Sequence, residues 1–340
     1  MTIKHLLLAS TALLAVVACN KEVSEPVQSQ FPEDGVMLFT TNLNAPAEVQ
    51  TRASITNNDL GEYGTKFQAK IVNPASATYS YFKNIENNGM GVWRNDDIDP
   101  MLWQNNTAPI TVTAAYLKGK TFTDAEFQNG AAITVAADQS TEAKVKAQDL
   151  LTMPTKTIAN PSTEQTLLSG GKLVINFYHG LTKLDVTLDL ANEFYNNTPK
   201  LNNATDITDV TISGINLGYT FQPMQTANEN YGTVSVTAST AADLQPYQYD
   251  FTAGTETSMH SLAKYESIVV PQEIAAGALT VSFKVGTRSF SWTNTQAYTL
   301  EQGKLYTLPL TVGYDTVTSA PSAFSASAWA GGTGSNLGTE

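Results

Sequence analysis

Cysteine is almost absent from this chain of 340 residues, which has a single one, Cys19. A lone cysteine cannot form an intramolecular disulfide, so an apolar core has to hold the fold together. A chain of this length can supply such a core, because two domains of ordinary size each bury enough apolar surface. The composition therefore excludes a disulfide-stapled scaffold and favours two domains stabilised by their cores.

Histidine and basic residues are also scarce. The three histidines, His5, His179 and His260, are too few and too scattered for a zinc site, which needs three or four converging ligands. The 19 Lys and Arg residues against 31 Asp and Glu residues give a formal net charge of -12. No basic cluster is present to neutralise phosphates, so nucleic-acid binding is excluded. We expect no metal and no cofactor.

Sequence motifs for catalysis are missing too. There is no Gly-x-Ser-x-Gly turn of the kind that presents a nucleophilic serine. No motif marks two carboxylates as a glycosidase pair, although sequence alone cannot locate such a pair. We predict that the protein is not an enzyme, with a hydrolase as a weak alternative.

Long hydrophobic runs are confined to the start of the chain. After Lys4, the segment Leu6 to Val17 is apolar over about a dozen residues, too short for the ~20 residues that span a bilayer. Residues 1–18 therefore read as a signal peptide. The run ends in Val17-Ala18-Cys19, which fits a bacterial lipobox and predicts that Cys19 is lipidated. A diacyl anchor of that kind holds a protein stably on a membrane.

What the sequence does contain is the composition of strands and turns. Only 15% of residues are charged, while Thr, Ser, Asn and Gly are abundant. Leu184 to Leu190 alternates apolar residues with Asp and Thr, and Thr280 to Val285 repeats the alternation. That period of two is typical of a half-buried antiparallel strand. Many short segments of this type between turns predict an all-β fold of two tandem antiparallel β-sandwich domains.

The chain divides into five predicted parts. After the signal peptide, residues 19–52 form a lipidated propeptide that carries a first strand at 35–43. The two sandwiches occupy residues 53–165 and 166–314. Residues 315–340 form a tail rich in Ala and Ser, which is either an unstructured terminus or a strand without a partner in its own domain.

Two pairs of segments resemble a known family. Asp149-Leu150-Leu151 and the stretch Lys172 to Leu184, which reads KLVINFYHGLTKL, are similar to the "DLL … L-x-F-x-H-x-L-x-K-L" signature of the Bacteroidales fimbrillins. Ile268 to Gln272 and Leu300 to Leu308 are similar to that family's "VPQ" strand and "L-x-x-G-K-x-Y-T-L" closing strand. The lipobox and the Arg52-Ala53 pair also lie where a fimbrillin precursor has them, so the resemblance covers nearly the whole chain. The resemblance implies two transthyretin-like, Greek-key sandwiches.

The resemblance also implies a function. Fimbrillins are structural subunits of type V fimbriae, reach the cell outer membrane as palmitoylated lipoprotein precursors, and support adhesion. An Arg-specific protease removes the propeptide, and here Arg52 and Ala53 flank the matching bond. The implied site residues are those of the removed strand and of the strand donated to the next subunit: Val36, Leu38 and Thr40, and Phe324, Ala326, Ala328 and Trp329.

Strand exchange follows from the chemistry of a sheet edge. A lost strand leaves unpaired N–H and C=O groups over an apolar floor, which is a template for another chain. A neighbour's terminal strand then adds by main-chain hydrogen bonds, and side-chain pockets fix its register. Head-to-tail contact of this type builds an open filament. The implied partners are other fimbrial subunits, the outer membrane through the lipid, and a host or microbial surface.

Two further functions are left open. The chain is alternatively a tip or anchor subunit of a fimbria, since an anchor keeps its lipid and its first strand. It is alternatively a surface glycan-binding lipoprotein in which Trp93, Trp103 and Tyr116 stack on sugars. The sequence also does not decide whether Asp96, Asp97 and Asp99 bind calcium through their hard oxygen ligands, because the calcium-loop spacing is missing.

Overall fold

The computed structural model describes residues 29–43, 54–89, 91–196, 201–238, 242–319 and 324–329. Strands dominate these ranges, so the all-β prediction is confirmed. Cys19, Arg52 and Ala53 lie outside the described residues. Among the residues that are described, no helix is long and apolar enough to cross a membrane.

The strands come in two runs along the chain. The first run is β1 (Leu38–Leu43), β2 (Lys66–Val72), β3 (Tyr81–Asn87), β4 (Trp93–Asn95), β5 (Ile110–Tyr116), β6 (Ala131–Thr134), β7 (Leu151–Ile158), β8 (Leu168–Ser169) and β9 (Lys172–His179). The second run is β10 (Thr182–Leu190), β11 (Ile207–Ser213), β12 (Gly218–Thr226), β13 (Gly232–Thr237), β14 (Tyr247–Thr252), β15 (Ser261–Val269), β16 (Glu273–Ile274), β17 (Thr280–Val285), β18 (Arg288–Thr293), β19 (Tyr298–Thr299), β20 (Lys304–Val312), β21 (Val317–Thr318) and β22 (Ser325–Ala328).

Four short α-helices lie between the strands in the described ranges. They are α1 (Asn57–Gly61), α2 (Asp124–Asn129), α3 (Glu142–Lys146) and α4 (Glu193–Asn196). The residue before each of the first three helices is a threonine. Its hydroxyl accepts a hydrogen bond from a backbone N–H of the first turn, which has no partner within the helix. In α1 and α2 the third helical residue is acidic. Its carboxylate accepts a hydrogen bond from the backbone N–H of the threonine that precedes the helix.

The first sheet closes on itself. Its order is β1-β4-β3-β2-β5-β7-β9-β8, and β1 also pairs with β9, so seven strands form a barrel-like ring. β1 runs antiparallel to β4 through the pair Phe39 and Trp93, and parallel to β9 over six residue pairs. The sequence predicts an open sandwich for this part of the chain. The structure differs because β1 pairs with both β4 and β9 and closes the sheet.

The second sheet is built around β10. Antiparallel β15 lies on one side of β10 and parallel β20 on the other. Two short strands of the C-terminal segment, β21 and β22, pair with β20 on the side away from β10. β14 forms the opposite edge of the sheet. The chain crosses from the first sheet to the second at Gly180 and Leu181, between β9 and β10.

Three smaller sheets complete the fold: β11-β17-β18, β13-β12-β6 and β16-β19. β6 pairs with β12 although it belongs to the first run of strands, and Phe122 and Phe127 join the core of the second sheet. A separate core fills the closed first sheet. The limits 53–165 and 166–314 stay a prediction, since elements on either side of residue 165 share sheets.

Candidate functional site

The first part of the candidate site is the position of β1 in the closed sheet. Met37, Phe39 and Leu43 are buried, and Phe39 is fully enclosed. Phe39 packs edge-on against Phe67, with ring centroids 6.3 Å apart, and Phe67 in turn contacts Phe177 of β9 at 5.4 Å. β1 therefore supplies both hydrogen bonds and apolar side chains to the ring of strands.

The predicted residues of the removed strand alternate with these buried ones. Val36, Leu38 and Thr40 are half-buried, and Val36 forms an isolated bridge with Leu102. Because successive side chains of a strand point to opposite faces, the three predicted residues share the outer face of β1. The residues that fill the interior are their neighbours, which the sequence did not single out.

The second part of the site is the C-terminal strand. β22 runs antiparallel to β20, from the pair Lys304 and Ala328 to the pair Thr307 and Ser325. Ala326 is exposed and Ala328 half-buried. Phe324 stacks on the ring of Tyr306 at 5.3 Å. In the structure, then, this segment is a strand on the chain's own second sheet.

Trp329 ends the described part of the tail and is the residue that fixes it. Its side chain is only 3% exposed. The indole lies parallel to the His179 ring, with centroids 4.2 Å apart and planes 6° apart. Its Nε1–H donates to the Ser54 hydroxyl at 3.0 Å, and its backbone N–H donates to the Gly303 carbonyl at 2.9 Å.

His179 is held by a buried carboxylate. Oδ1 of Asp149 lies 2.9 Å from Nδ1 of His179, and Oδ2 accepts the Ile55 backbone N–H at 2.7 Å. Because the carboxylate only accepts, the ring proton sits on Nδ1. Nε2 of His179 is buried and has no hydrogen-bond partner among the described residues.

Ser54 joins this group to a buried ion pair. Nζ of Lys183 lies 3.3 Å from the Ser54 hydroxyl and 2.5 Å from Oε2 of Glu266. The side chains of Lys183 and Glu266 are 1% and 2% exposed. Burial lowers the pKa of Lys183, while Glu266 opposes that shift. We call Ser54, Asp149, His179, Lys183, Glu266 and Trp329 the polar cluster.

A further carboxylate stands beside the polar cluster. Asp185 is directly opposite Glu266 in the β10–β15 pair. The Tyr249 hydroxyl donates to Oδ2 of Asp185 at 2.7 Å. Burial raises the pKa of the Asp185 carboxyl, against the hydrogen bond from Tyr249 and the charge of Lys183.

The polar cluster gathers charged residues of the first quoted signature. Asp149 lies 30 residues before His179 in the sequence, and the structure brings it together with His179 and Lys183 around Trp329. Ser54 and Glu266 complete the group and were not singled out from the sequence. A signal for Glu266 is its place next to the apolar run Ile268 to Val270, since a charge that a strand buries needs a partner.

The second pair of segments has a structural role. Gln272 bridges β15 to the β11–β12 turn, since its amide both accepts from and donates to the backbone of Asn216 at 2.9 and 3.0 Å. Gly303 has φ +67°, and a Cβ there would collide with the Tyr231 hydroxyl at 1.9 Å. Only glycine fits that turn.

The aromatic residues proposed as a sugar-stacking platform are in the core. Trp93 is 2% exposed, Trp103 5% and Tyr116 9%. They fill the closed first sheet, where strand residues of this size bury their rings. The alternative in which these three rings form a sugar-stacking surface is therefore wrong.

The acidic turn after β4 is tied to lysines. Asp96 lies 3.2 Å from Nζ of Lys66, and Asp97 pairs with Lys83. The Asn95 side chain donates to the Asp99 carbonyl at 2.7 Å. Within the described ranges, no three His, Cys, Asp or Glu residues are grouped as a metal site requires. Calcium binding here is untested.

The fold is all-β, and a strand from near each end of the described residues completes a sheet. The model of the family described as fimbrillin-like matches residues 51–327. The chain belongs to the fimbrillin-like family, which confirms the resemblance found in its motifs. No curated protein matches the sequence.

Solved structures share the fold at low sequence identity. A candidate cell adhesion protein from Bacteroides uniformis is 16% identical, with a TM-score of 0.55, over 88% of this chain and 99% of that one. A candidate cell adhesion protein from Bacteroides ovatus is 17% identical, with a TM-score of 0.54, over 86% of this chain and 97% of that one. At these identities the likeness concerns the fold.

Proposed function

We propose that this protein is a structural subunit of a type V fimbria, exported as a lipoprotein on Cys19 and polymerised by strand exchange to support adhesion. Membership of the fimbrillin-like family supports the general class. One observation carries the mechanism: β1, the strand that closes the first sheet, precedes Arg52 in the chain and is fixed between β4 and β9.

Maturation in this proposal is hydrolysis of one peptide bond. Water adds across the bond between Arg52 and Ala53, which gives a carboxylate on Arg52 and an ammonium on Ala53. The other two arginines, Arg94 and Arg288, lie within β4 and β18. A protease needs extended, accessible chain, so the paired strands protect those two positions.

Cleavage leaves β1 bound only by non-covalent contacts. Its departure would free one edge of β4 and one of β9, together with the cavities of Phe39 and Leu43. These are an unpaired edge and an apolar floor, the two features that promote strand addition. The tail of another subunit, after leaving its own β20, is the proposed replacement.

An anchor subunit is the second candidate. The tail strand carries small side chains such as Ala326 and Ala328, whereas β1 buries Phe39 and Leu43. A copy of this tail would fill those cavities incompletely, and unfilled core volume is destabilising. An anchor that keeps β1 avoids that cost.

A disulfide across β20 and β22 tests the role of the tail. Thr307 and Ser325 face each other in the antiparallel pair, at a separation that suits a disulfide. We expect T307C/S325C, in a Cys19→Ser background, to stay monomeric after Arg-specific cleavage while oxidised and to form a ladder once reduced.

The matched control is T311C/T318C, which joins β20 to β21 and leaves β22 free. This pair should polymerise in both redox states. A ladder from the oxidised T307C/S325C protein would contradict donation of this strand. Cleavage at Arg52 without any ladder from the unmodified protein would favour the anchor.

A further inference from the structure

β13 is the outer strand of the small sheet β13-β12-β6. It pairs with β12 along one side. On the other side, the backbone of residues 233–237 forms no hydrogen bond with any further part of the chain that the structure describes. A row of unpaired N–H and C=O groups along a sheet edge is a template for another strand. The fold therefore leaves an open edge at this position.

The edge of β13 lacks the features that protect other outer strands. β11 and β14, at the margins of two other sheets, each contain an irregular register and an aspartate, Asp209 and Asp250. Bulges and charged side chains of this kind obstruct pairing with another chain. Residues 233–237 of β13 read TVSVT, without a charge or a proline, and their register with β12 is regular. Nothing in this stretch opposes an added strand.

The stretch TVSVT is also a palindrome centred on Ser235. When two copies of β13 lie antiparallel about that residue, Ser235 faces Ser235 of the other copy. Thr233 then faces Thr237, and Val234 faces Val236. Threonine pairs and pairs of β-branched apolar residues across strands are favourable. A self-complementary patch of this type suits a contact with two-fold symmetry, in which both copies use the same residues.

Val236 is the apolar residue that such a contact would cover, since it is 43% exposed. It lies opposite Tyr219 of β12, and Val234 lies opposite Phe221. Both aromatic residues are buried. Because alternate residues of paired strands share a face, the two valines continue the apolar face of β12 to the edge of the sheet. In the two-fold arrangement, Val236 of each copy packs against Val234 of the other.

We propose that β13 is a docking edge for a second copy of this chain, joined antiparallel through residues 233–237 about Ser235. The two three-stranded sheets then form one continuous sheet, with β13 of each copy at its centre. The contact uses neither β1 nor the C-terminal strand. It is therefore separate from the strand exchange of the proposed function and stands or falls without it.

A single contact of this type is small. The residues of TVSVT are far fewer than the roughly 20–30 residues that each partner supplies to a stable interface, so isolated copies should associate weakly. The formal charge of -12 on each copy adds repulsion, which physiological salt screens beyond about 8 Å. Where many copies are aligned, as in two neighbouring filaments of the proposed function, repeated contacts of this kind would add.

Single cysteines test both the contact and its register. In a Cys19→Ser background the introduced cysteine is the only one in the chain, and the protein is left uncleaved so that strand exchange cannot contribute. Ser235→Cys should give a disulfide-linked dimer, because residues that face each other have Cα atoms about 4.5–5.5 Å apart. Thr237→Cys is the matched control on the same face of β13. Its two copies would be displaced by four residues, roughly 13 Å, which is too far for a disulfide.

We expect Ser235→Cys to form dimers at least about tenfold faster than Thr237→Cys in the same redox buffer, because only the first pair meets the distance limit. Non-reducing gels over time give the rates. An equimolar mixture of Thr233→Cys and Thr237→Cys, one of them isotope-labelled, should crosslink between the two variants. Equal rates for Ser235→Cys and Thr237→Cys would overturn the inference, and so would a Ser235→Cys protein that stays monomeric.

Val236→Lys provides an independent check. A charged side chain on an edge strand opposes pairing, so adding Val236→Lys to the Ser235→Cys protein should slow dimer formation to the rate of Thr237→Cys. Val236→Thr keeps a β-branched, uncharged residue and should leave the rate nearly unchanged. Circular dichroism confirms that both variants are folded, as expected for changes at an exposed side chain. Unchanged crosslinking in the Val236→Lys protein would contradict pairing through β13.

Discussion

Trp329 is the residue through which the tail is held. We expect Trp329→Ala to release β22, because it removes a buried ring and the hydrogen bond to Ser54, a loss on the order of 3–5 kcal/mol. Trp329→Phe keeps a ring over His179 and loses the Nε1–H donor, which costs about 1 kcal/mol. Hydrogen exchange of the β22 amides reads both effects as local opening. Ser327→Ala, at an exposed position, is the control, and unchanged exchange in Trp329→Ala would contradict the anchoring role.

Removing only one residue of the buried Lys183–Glu266 ion pair should destabilise the protein strongly. Lys183→Met leaves the Glu266 carboxylate buried without its partner and should lower the free energy of unfolding by about 3–5 kcal/mol. The double variant K183M/E266L should recover most of that loss. Urea unfolding gives the values, and the coupling follows from the double-mutant cycle.

The exposed ion pair of Lys264 and Asp250 is the control for that cycle. Lys264 lies 3.2 Å from Asp250, with both side chains more than a third exposed. Lys264→Met should change stability by less than about 1 kcal/mol. If Lys183→Met were equally mild, the buried pair would not be a structural centre of the protein.

Asp185 predicts a pH dependence of defined sign. Burial raises the pKa of its carboxyl, so the folded state holds the proton more tightly than the unfolded state. The protonated Asp185 carboxyl therefore stabilises the folded protein below the unfolded pKa of about 3.9. This stabilisation is lost as the pH rises through the folded pKa. Asp185→Asn should therefore raise the melting temperature relative to wild type more at pH 7 than at pH 4.

The amide introduced by Asp185→Asn can still accept the Tyr249 hydrogen bond, so the comparison isolates the charge. Asp250→Asn removes one negative charge from the edge strand β14, which β15 separates from β10, and controls for net charge. A melting-temperature difference that is the same at both pH values would contradict burial as the cause.

At the scale of elements, β1 is the strand on which the first sheet depends. Phe39→Ala should lower the free energy of unfolding by about 3–5 kcal/mol, because Phe39 is fully buried against Phe67. Thr40→Ala, on the half-buried outer face, should cost less than about 1 kcal/mol. Urea midpoints at constant m-value test this, and equal effects of the two substitutions would show that β1 does not fill the interior.

The sequence predicts strands well wherever apolar residues alternate. The alternation in Leu184 to Leu190 predicts β10, and that in Thr280 to Val285 predicts β17. The sequence does not predict β12, which contains Gly218 and Pro223, residues that weaken a strand prediction. The sequence does not predict α3 either, since five residues are too few to show helical periodicity.

Pairing between strands is less accessible from sequence than the strands themselves. Gly35 to Leu43 reads as a strand, but nothing local indicates that it joins β4 to β9 and closes a ring. The tail shows the same limit. Its small residues do not decide between a disordered end, a strand without a partner and a tail that folds back onto its own body. The structure pairs the described strands β21 and β22 with β20.

At the scale of the whole molecule, the candidate site is assembled by tertiary contacts. Asp149, His179 and Lys183 were visible in the sequence only as parts of a family signature. In the structure they form one buried group with Ser54 and Trp329, which come from near the two ends of the described chain. Periodicity cannot report this convergence, because it describes one element at a time.

Filament growth is a further consequence of the proposed function at this scale. A subunit that receives a strand at one sheet and donates one from the other makes head-to-tail contacts, which do not close. The tail of 26 residues from 315 to 340 could extend about 80 Å at ~3.3 Å per residue. That reach is sufficient for contact along a neighbouring subunit.

The N-terminal sequence and apparent size of the protein recovered from the native cell surface test the central claim most directly. The account predicts a chain that begins at Ala53, within a ladder of high-mass species that resist mild detergent. A discrete monomer that retains an acylated Cys19 would contradict the polymerising subunit and leave the anchor as the better assignment.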